Sequence, residues 1–299
     1  KKLLSIILEE LKNTKFKPEA VELKIKDMNF SIKLDDGVLN ITGTVDRLDS
    51  YVLDDTYYYR IIDYKTGQVK VLIGGRGNQP SASLNRAYFD LKSIGSTTKP
   101  LTVYGPAIDT KLITAGTPLD DTSVSEEILE KYNFGSVVPK NADGSMFGYI
   151  TAREALTYSK NLTSIKTVDM LGLDTALNYG KKAGLKYAPQ SHTMSALALG
   201  QFDQPIGNRD GGNTTILASA YGAFGNNGVI YEPALYTKVE DASGNLLLEK
   251  EPISTKLFSP QTSYIIYDIL KGSSTSAQFN DIPVAGKTGT TNSSDNFWF

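Results

Sequence analysis

The sequence contains no cysteine and only one histidine, His192, among its 299 residues. The lack of cysteine excludes thiol catalysis, disulfide bonds and thiolate metal sites, and one histidine cannot build a histidine-rich metal centre. A Ser-His-Asp triad would have to use His192, which stands in PQSHTMSALALG directly before an apolar helical run. We interpret His192 as a helix-start or loop residue, and we expect neither a metal ion nor an organic cofactor.

Long apolar runs and an excess of charge are also missing. No run reaches the roughly 18 to 20 apolar residues that a membrane-spanning helix needs. The 31 basic and 33 acidic side chains leave a net charge of −2, which gives no general attraction to nucleic acid or to an anionic membrane. The function must therefore come from specific sites, and no nucleic-acid partner is expected.

The first part of the chain has a β pattern. VELKIKDMNFSIKL and VLNITGTVDRL alternate apolar and polar positions on either side of a DDG turn, and YYYRIIDY predicts a third strand. Later, ALYTKVEDASGNLLLEKE predicts a hairpin that turns at SGN, and VAGKTGTT predicts a strand that leads toward NFWF. The chain starts without methionine and stops within this aromatic strand pattern, so we expect both ends to be cut.

Helical spacing dominates between these β segments. Thr151 and Glu154 form a capping box that predicts the start of a helix ending at or just past Ser159. Further helices are predicted at SIKTVDMLG, DTALNYGKKAG, TTILASAYGAFGN and QTSYIIYDILKG. This order of elements predicts an α+β fold, with an antiparallel sheet flanked by helices and a largely helical subdomain.

Three short motifs occur in order: STTK at 96–99, SKN at 159–161 and KTGT at 287–290. The tripeptide KTG occurs twice, beginning at Lys65 and at Lys287, so spacing has to decide which copy does chemistry. Each motif alone has a plainer interpretation as a helix cap, a helix end or an ordinary strand with a bulge. Their joint occurrence, with gaps of about sixty and about one hundred and thirty residues, favours a catalytic site instead.

The motifs suit a serine nucleophile that is activated without histidine. If Ser96 lies in the first turn of a helix, Lys99 shares its face and the amine can reach the hydroxyl. A partly desolvated lysine among other cations loses its proton more easily and can then act as the base. Ser159 would relay a proton to the leaving group, and Asn161 would hold a substrate carbonyl, while Lys160 faces away.

The third motif suits the binding of a carboxylate. Lys287 and Thr288 on an edge strand would supply a positive charge and a hydroxyl to the substrate, and Gly289 would leave room for the substrate backbone. The backbone N–H groups of Ser96 and Thr290 could form an oxyanion hole.

From about residue 68 to residue 299 the chain resembles the transpeptidase domain of class A penicillin-binding proteins. The segments that carry the resemblance are VLIGGRG, LNRAYFDLKSIGSTTKPLTVYGPAID, GYITAREALTYSKNLTSIKTVDMLG, LALGQFDQ, ILASAYGAFGNNGVIYEP and VAGKTGTTNSSDNFWF. The resemblance implies a β-lactamase/transpeptidase-like fold and a D,D-transpeptidase, in which Ser96 attacks the D-Ala-D-Ala bond of a peptidoglycan stem peptide. It also implies acylation by β-lactams, partner proteins of cell-wall synthesis, and a place at the outer face of the bacterial cytoplasmic membrane.

A serine β-lactamase or a β-lactam sensor is the alternative within the same fold. The sequence has no obvious glutamate loop of the kind that positions a deacylating water in class A β-lactamases. We therefore expect the acyl-enzyme to persist.

Residues 1–67 instead resemble a RecB/AddB-type nuclease. GTVDRLD with Asp46 and RIIDYKTG with Asp63 and Lys65 carry this resemblance, which implies a metal-dependent DNA nuclease as a further alternative. The helix that would follow in that family is missing, because the transpeptidase pattern begins directly after Gly67. We therefore predict two domains, 1–67 and 68–299, with an inactive nuclease-like fragment first. The working hypothesis is a chimera joined at DYKTG, and the alternative is a natural N-terminal module.

Overall fold

The computed structural model describes residues 67–69, 72, 85–202, 210–240, 243–273 and 284–291, together with the backbone of the strands within 23–61 and at 297–298. The chain divides into two compact units. One unit comprises residues 1–73 and 231–254, and the other comprises residues 74–230 and 255–299. The domain boundary between residues 67 and 68 stays a prediction.

Strands occur in both units and pair two by two in the described part of the chain. They are β1 (Leu23–Lys24), β2 (Ser31–Leu34), β3 (Gly37–Asn40), β4 (Thr44–Val45), β5 (Leu48–Leu53), β6 (Thr56–Ile61), β7 (Pro118–Asp121), β8 (Gly148–Thr151), β9 (Val229–Tyr231), β10 (Lys238–Glu240), β11 (Leu246–Glu249), β12 (Ser254–Lys256), β13 (Gly289–Thr290) and β14 (Phe297–Trp298).

Hairpins predicted from turn residues are present. β2 and β3 are antiparallel, with Leu34 opposite Gly37, as the predicted hairpin requires. β10 and β11 are also antiparallel, and Gly244 between them has a φ of +83°, which explains the glycine in the SGN turn. In the second unit, β7 pairs with β8 and β13 pairs with β14, both antiparallel.

Helices are the longest elements in the described part of the second unit. They are α1 (Arg86–Phe89), α2 (Gly105–Asp109), α3 (Glu126–Lys131), α4 (Ala152–Thr157), α5 (Asn161–Leu171), α6 (Leu173–Lys182), α7 (Met194–Leu199), α8 (Thr214–Gly225) and α9 (Pro260–Ser273), with short 3₁₀ helices at Gly95–Thr98 and Pro189–Ser191 and a π-helix at Pro100–Tyr104. The four helices that spacing predicted correspond to α5, α6, α8 and α9. The mixture of helices and antiparallel strand pairs confirms the α+β class.

The capping box that the sequence predicted is present at the start of α4. The Thr151 hydroxyl accepts the Glu154 N–H, and the Glu154 carboxylate accepts the Thr151 N–H in return. These bonds satisfy two backbone groups that a helix leaves free at its first turn. The helix ends at Thr157, so residues 158–160 form a tight turn before α5 begins.

The core of the second unit lies between α5, α7, α9 and the helical stretch that follows residue 95. Its fully buried apolar side chains include those of Leu101, Tyr104, Leu156, Ile165, Leu197 and Ile266. Burying each such aliphatic side chain contributes about 1.5 to 3 kcal/mol relative to leaving it exposed. The first two motifs therefore adjoin this core. Within the described residues, none of the helices has the length and apolar character that a bilayer-spanning segment needs.

Candidate active site

Ser96 lies on a helical stretch that changes its winding twice. The stretch is a 3₁₀ helix at Gly95–Thr98, a π-helix at Pro100–Tyr104 and then α2. Pro100 and Pro106 supply no N–H groups, so a continuous α-helical ladder cannot form here. Irregular helical turns of this kind recur at functional sites. The Ser96 side chain remains partly exposed at the start of this stretch.

Lys99 is fully buried and points toward the second motif. Its Nζ donates to the Ser159 carbonyl oxygen at 2.6 Å and to Oδ1 of Asn161 at 2.7 Å, and lies 3.4 Å from the Ser159 hydroxyl. The predicted hydrogen bond between Lys99 and the Ser96 hydroxyl is not formed. The Lys99 amine is directed instead to the acceptors that Ser159 and Asn161 provide.

Ser159 and Asn161 are held in the turn between α4 and α5. Ser159 has a φ of +57°, a left-handed conformation that non-glycine residues adopt at some cost. Asn161 is the first residue of α5 and donates its Nδ2 to the Lys140 carbonyl oxygen at 2.8 Å, which leaves Oδ1 for Lys99. The turn therefore presents one hydroxyl and one amide oxygen toward the same amine.

Lys287, from the third motif, also contacts Ser159. Its Nζ donates to the Ser159 hydroxyl oxygen at 2.8 Å and to the Thr288 carbonyl oxygen at 2.9 Å. The Ser159 hydroxyl thus lies between two lysine amines, one from the first motif and one from the third. A hydroxyl in this position can accept a hydrogen bond from one amine and donate its own proton to the other once that amine is neutral.

Glycines bring the third motif against the first. A Cβ on Gly289 would lie 2.5 Å from the Ile94 carbonyl oxygen, and a Cβ on Gly95 would lie 2.4 Å from the Thr290 carbonyl oxygen. Both positions must lack a side chain for β13 to pack on the 3₁₀ helix. Close packing therefore also explains why residue 289 is a glycine, which the sequence did not suggest. The alternation along the strand buries Lys287 and Gly289 and exposes the Thr288 and Thr290 side chains.

The electrostatics favour a neutral amine at Lys99. Burial, and then the nearby charge of Lys287, lowers the pKa of Lys99 well below its ordinary value of 10.5, and the Asp121 carboxylate opposes this less strongly. Burial also lowers the pKa of Lys287 to about 8. Two buried ammonium groups that share one hydroxyl cannot both keep their charge cheaply. Lys99 therefore gives up its proton more readily than an ordinary lysine does.

Sequence reasoning missed the residues behind the second motif. Lys160 faces away from Lys99, as expected, but it is buried and forms ion pairs with Asp121 and Asp143. Asn141 accepts the backbone N–H of Asn161 at 2.7 Å. These partners lie at least seventeen residues from Lys160 along the chain, so no local spacing could have pointed to them.

The remaining candidate residues are His192 and the nuclease-type residues Asp46, Asp63 and Lys65. His192 follows the 3₁₀ helix Pro189–Ser191 and precedes α7, which confirms its interpretation as a loop residue. Asp46, Asp63 and Lys65 lie outside the described residues, so the nuclease alternative stays a prediction. In the part of the chain that the structure describes, no three side chains of the metal-binding types come together.

Solved structures with the same architecture define the class of fold. The D,D-transpeptidase domain of a peptidoglycan glycosyltransferase from Eggerthella lenta is similar, with a TM-score of 0.56 at 22% identity, over 69% of this chain and 55% of that one. Penicillin-binding protein A from M. tuberculosis, solved as an imipenem acyl-enzyme complex, has a TM-score of 0.57 at 18% identity, over 69% of this chain and 50% of that one. The second unit therefore has the fold of a penicillin-binding transpeptidase domain.

Sequence comparison gives the family directly. The model of the penicillin-binding protein transpeptidase domain matches residues 58–296, and this chain belongs to that family. Penicillin-binding protein 1A of Clostridium perfringens strain 13 is 54% identical over 245 residues, which are 80% of this chain and 36% of that protein. The chain thus spans about a third of the length of this relative.

A second family model matches the start of the chain. The PD-(D/E)XK nuclease superfamily covers residues 2–73, in line with the nuclease resemblance of the first segment. The two matches share residues 58–73, which include the DYKTG sequence. That overlap is consistent with a stretch that suits both families.

Proposed function

We propose that this chain carries the acyl-transfer site of a serine D,D-transpeptidase, with Ser96 as the nucleophile. The observation that carries the proposal is the Ser159 hydroxyl between the amines of Lys99 and Lys287, together with the packing of β13 against the 3₁₀ helix that contains Ser96. This arrangement supplies a base, a proton relay and a positive charge without histidine. It also uses all three motifs in one cluster.

The first half of the reaction forms an ester on Ser96. The Ser96 oxygen attacks the carbonyl carbon of the D-Ala-D-Ala peptide bond, and its proton passes to the neutral amine of Lys99. When the peptide bond breaks, the departing amine of the terminal D-alanine takes a proton through the Ser159 hydroxyl. The products are a Ser96 acyl-enzyme and free D-alanine.

The second half returns the enzyme to its starting state. An acceptor amine attacks the ester carbonyl and loses a proton to the same relay. The relay returns that proton to the Ser96 oxygen as it leaves, and a new amide forms. Water in place of the amine would give carboxypeptidase activity. A β-lactam acylates Ser96 by the same attack, but its leaving nitrogen stays tethered to the acyl group and obstructs an incoming nucleophile.

The third motif suits the carboxylate end of the substrate. Thr288 and Thr290 have exposed side chains on one side of the strand, and Lys287 supplies the nearby positive charge. The close approach of Thr290 to Gly95 supports an oxyanion hole made by the N–H groups of Ser96 and Thr290. The expected substrates are peptidoglycan stem peptides, at the outer face of the cytoplasmic membrane and in company with other cell-wall synthesis proteins.

Intact-mass measurement and peptide mapping after incubation with a penicillin test this proposal. We expect a lasting adduct on the peptide that contains Ser96, and no adduct in Ser96→Ala. Rapid loss of the adduct would favour the β-lactamase alternative over the transpeptidase. A folded chain that forms no adduct would contradict acyl transfer altogether.

The family match of residues 2–73 supports one separate candidate, a metal-dependent DNA nuclease that uses Asp46, Asp63 and Lys65. Incubation of the chain with linear DNA and Mg²⁺ tests it. Cleavage that Asp63→Ala abolishes would establish this activity, and we expect none because the chain turns into the transpeptidase pattern after Gly67.

A further inference from the structure

Helix α5 is capped by a residue from a different part of the chain. Its own N-cap residue, Lys160, makes no capping hydrogen bond with its side chain. Instead, Oδ1 of Asn141 accepts the N–H of Asn161 at 2.7 Å and the N–H of Leu162 at 3.2 Å. Free N–H groups at a helix start need such acceptors when they are buried, and an asparagine oxygen is among the best.

The Asn141 side chain is itself fixed in orientation. It is 5% exposed, and its Nδ2 donates to Oδ1 of Asp121 and to the Ser145 carbonyl oxygen, both at 2.7 Å. A rotated amide would turn its NH₂ toward two N–H donors, so only one orientation satisfies the site. Asp121 is held in turn by the Phe147 N–H at 3.0 Å.

Residues 140–147 also hold Lys160 and Asn161, the two residues that follow Ser159 in the chain. Lys160 donates to the Ser145 hydroxyl oxygen at 2.6 Å, pairs with Asp143 at 3.1 Å and lies 3.6 Å from the centre of the Phe147 ring. We call residues 140–147 the bracing segment. The Lys140 carbonyl oxygen accepts a hydrogen bond from Nδ2 of Asn161, and Asn141 accepts the backbone N–H of Asn161. The bracing segment therefore holds both the side chain and the backbone of Asn161.

We propose that Asn141 is a positioning residue for acyl transfer, which holds Ser159 and Asn161 within hydrogen-bonding reach of Lys99. The proposal rests on the transpeptidase function proposed above. Ser159 stands in a left-handed conformation that the surrounding contacts must maintain, and Asn161 can reach Lys99 only while its amide is not free to rotate. Loss of the Asn141 cap would let the turn relax and let water reach the Lys99 amine.

The test measures acylation kinetics with a fluorescent penicillin on Asn141→Ala and on a matched control, Asn213→Ala. Asn213 is also a buried asparagine that caps a helix, since it accepts the Ile216 N–H at 2.9 Å and donates to the Tyr88 carbonyl oxygen at 2.7 Å, but it bonds to no motif residue. Both variants should lose similar stability in thermal unfolding.

The two variants should differ in rate. We expect Asn141→Ala to lower the acylation rate at saturating penicillin by about tenfold to a hundredfold, while Asn213→Ala stays within about twofold of the unchanged chain. The rising limb of the pH profile should also move to higher pH in Asn141→Ala alone, because Lys99 becomes hydrated. Equal losses in both variants, or an unchanged rate in Asn141→Ala, would overturn the positioning role.

If Asn141→Ala does not fold, exchanging the Asn and Asp side chains at positions 141 and 121 provides a second test. Asn141→Asp keeps the helix cap but sets a carboxylate against Asp121, so it should acylate slowly. When Asp121→Asn is added, the new amide at position 121 can donate to the new carboxylate at position 141, so the hydrogen bond forms in the opposite direction. The double variant should then recover most of the acylation rate. A folded double variant that stays as slow as Asn141→Asp would contradict the proposal. An unchanged chain that takes up no label at all would instead contradict the proposed function itself.

Discussion

Two lysines on opposite sides of the turn between α4 and α5 are equally buried but have different surroundings. Lys99 is 0% exposed and its amine contacts a carbonyl oxygen, an amide oxygen and a hydroxyl. Lys160 is 1% exposed and its amine forms ion pairs with Asp121 and Asp143. Among the described residues, carboxylates stand within ion-pair distance of Lys160 and not of Lys99.

This difference in surroundings distinguishes a catalytic lysine from a structural one. An amine without a paired carboxylate, close to another cation, gives up its proton readily and becomes a base. An amine that is paired with two carboxylates links one segment of the chain to another. Burial alone therefore does not define a catalytic lysine, and the acceptors around the amine decide its role.

The largest expected effect is the loss of the base in Lys99→Met. Acylation by a fluorescent penicillin should fall by about a thousandfold, because the Ser96 proton no longer has an acceptor. The melting temperature should fall less than in Lys160→Met, since Lys99 leaves no buried carboxylate behind. Acylation within tenfold of the unchanged chain would show that another group takes the proton.

Lys160→Met should give the reverse pattern, a large loss of stability. Removing the ammonium leaves Asp121, which is fully buried, without its cation, and breaking such a pair costs about 3 kcal/mol or more. Denaturant unfolding measures this change. Adding Asp121→Asn should restore part of the lost stability, and a double variant as unstable as Lys160→Met would contradict the pairing.

The pH dependence of acylation should be bell-shaped. The rate should rise with pH as Lys99 becomes neutral, and this limb should be displaced to lower pH than for an ordinary lysine because the pKa of Lys99 is lowered. The rate should fall near pH 8 as Lys287 loses the charge that binds the substrate carboxylate. In Lys287→Arg the guanidinium stays protonated, so the falling limb should move to higher pH. A falling limb that stays near pH 8 in this variant would rule out Lys287 as its source.

The smallest effect is expected for Asp143→Asn. Asp143 is the outer partner of Lys160 and its side chain is 56% exposed, so water screens the ion pair. The variant should lose no more than about 1 kcal/mol of unfolding free energy and keep its acylation rate. A loss as large as that of Lys160→Met would mean that Asp143, not Asp121, is the main partner of the buried ammonium.

Several parts of this account could be predicted from the sequence because they depend on local patterns. The helices α5, α6, α8 and α9 follow from apolar spacing, and the start of α4 follows from the Thr151 and Glu154 pair. The candidate residues of the three motifs were selected by their order and spacing, and the fold then brings them together.

The remainder depends on tertiary contacts that no local pattern encodes. The direction of the Lys99 side chain is set by acceptors sixty residues away, and the cap of α5 comes from Asn141, twenty residues before it. The changes of winding after residue 95 follow from where two prolines remove N–H groups, and from packing against β13. Such features become predictable only once the fold is known.

The most direct test of the central claim is an NMR titration of the lysine side chains with ¹³C at the ε carbon. The Lys99 signal can be identified by its absence in Lys99→Met. We predict that this signal titrates well below pH 10.5, because Lys99 is desolvated and lies beside Lys287. A Lys99 signal that titrates at or above pH 10.5 would contradict the claim that this amine is the base.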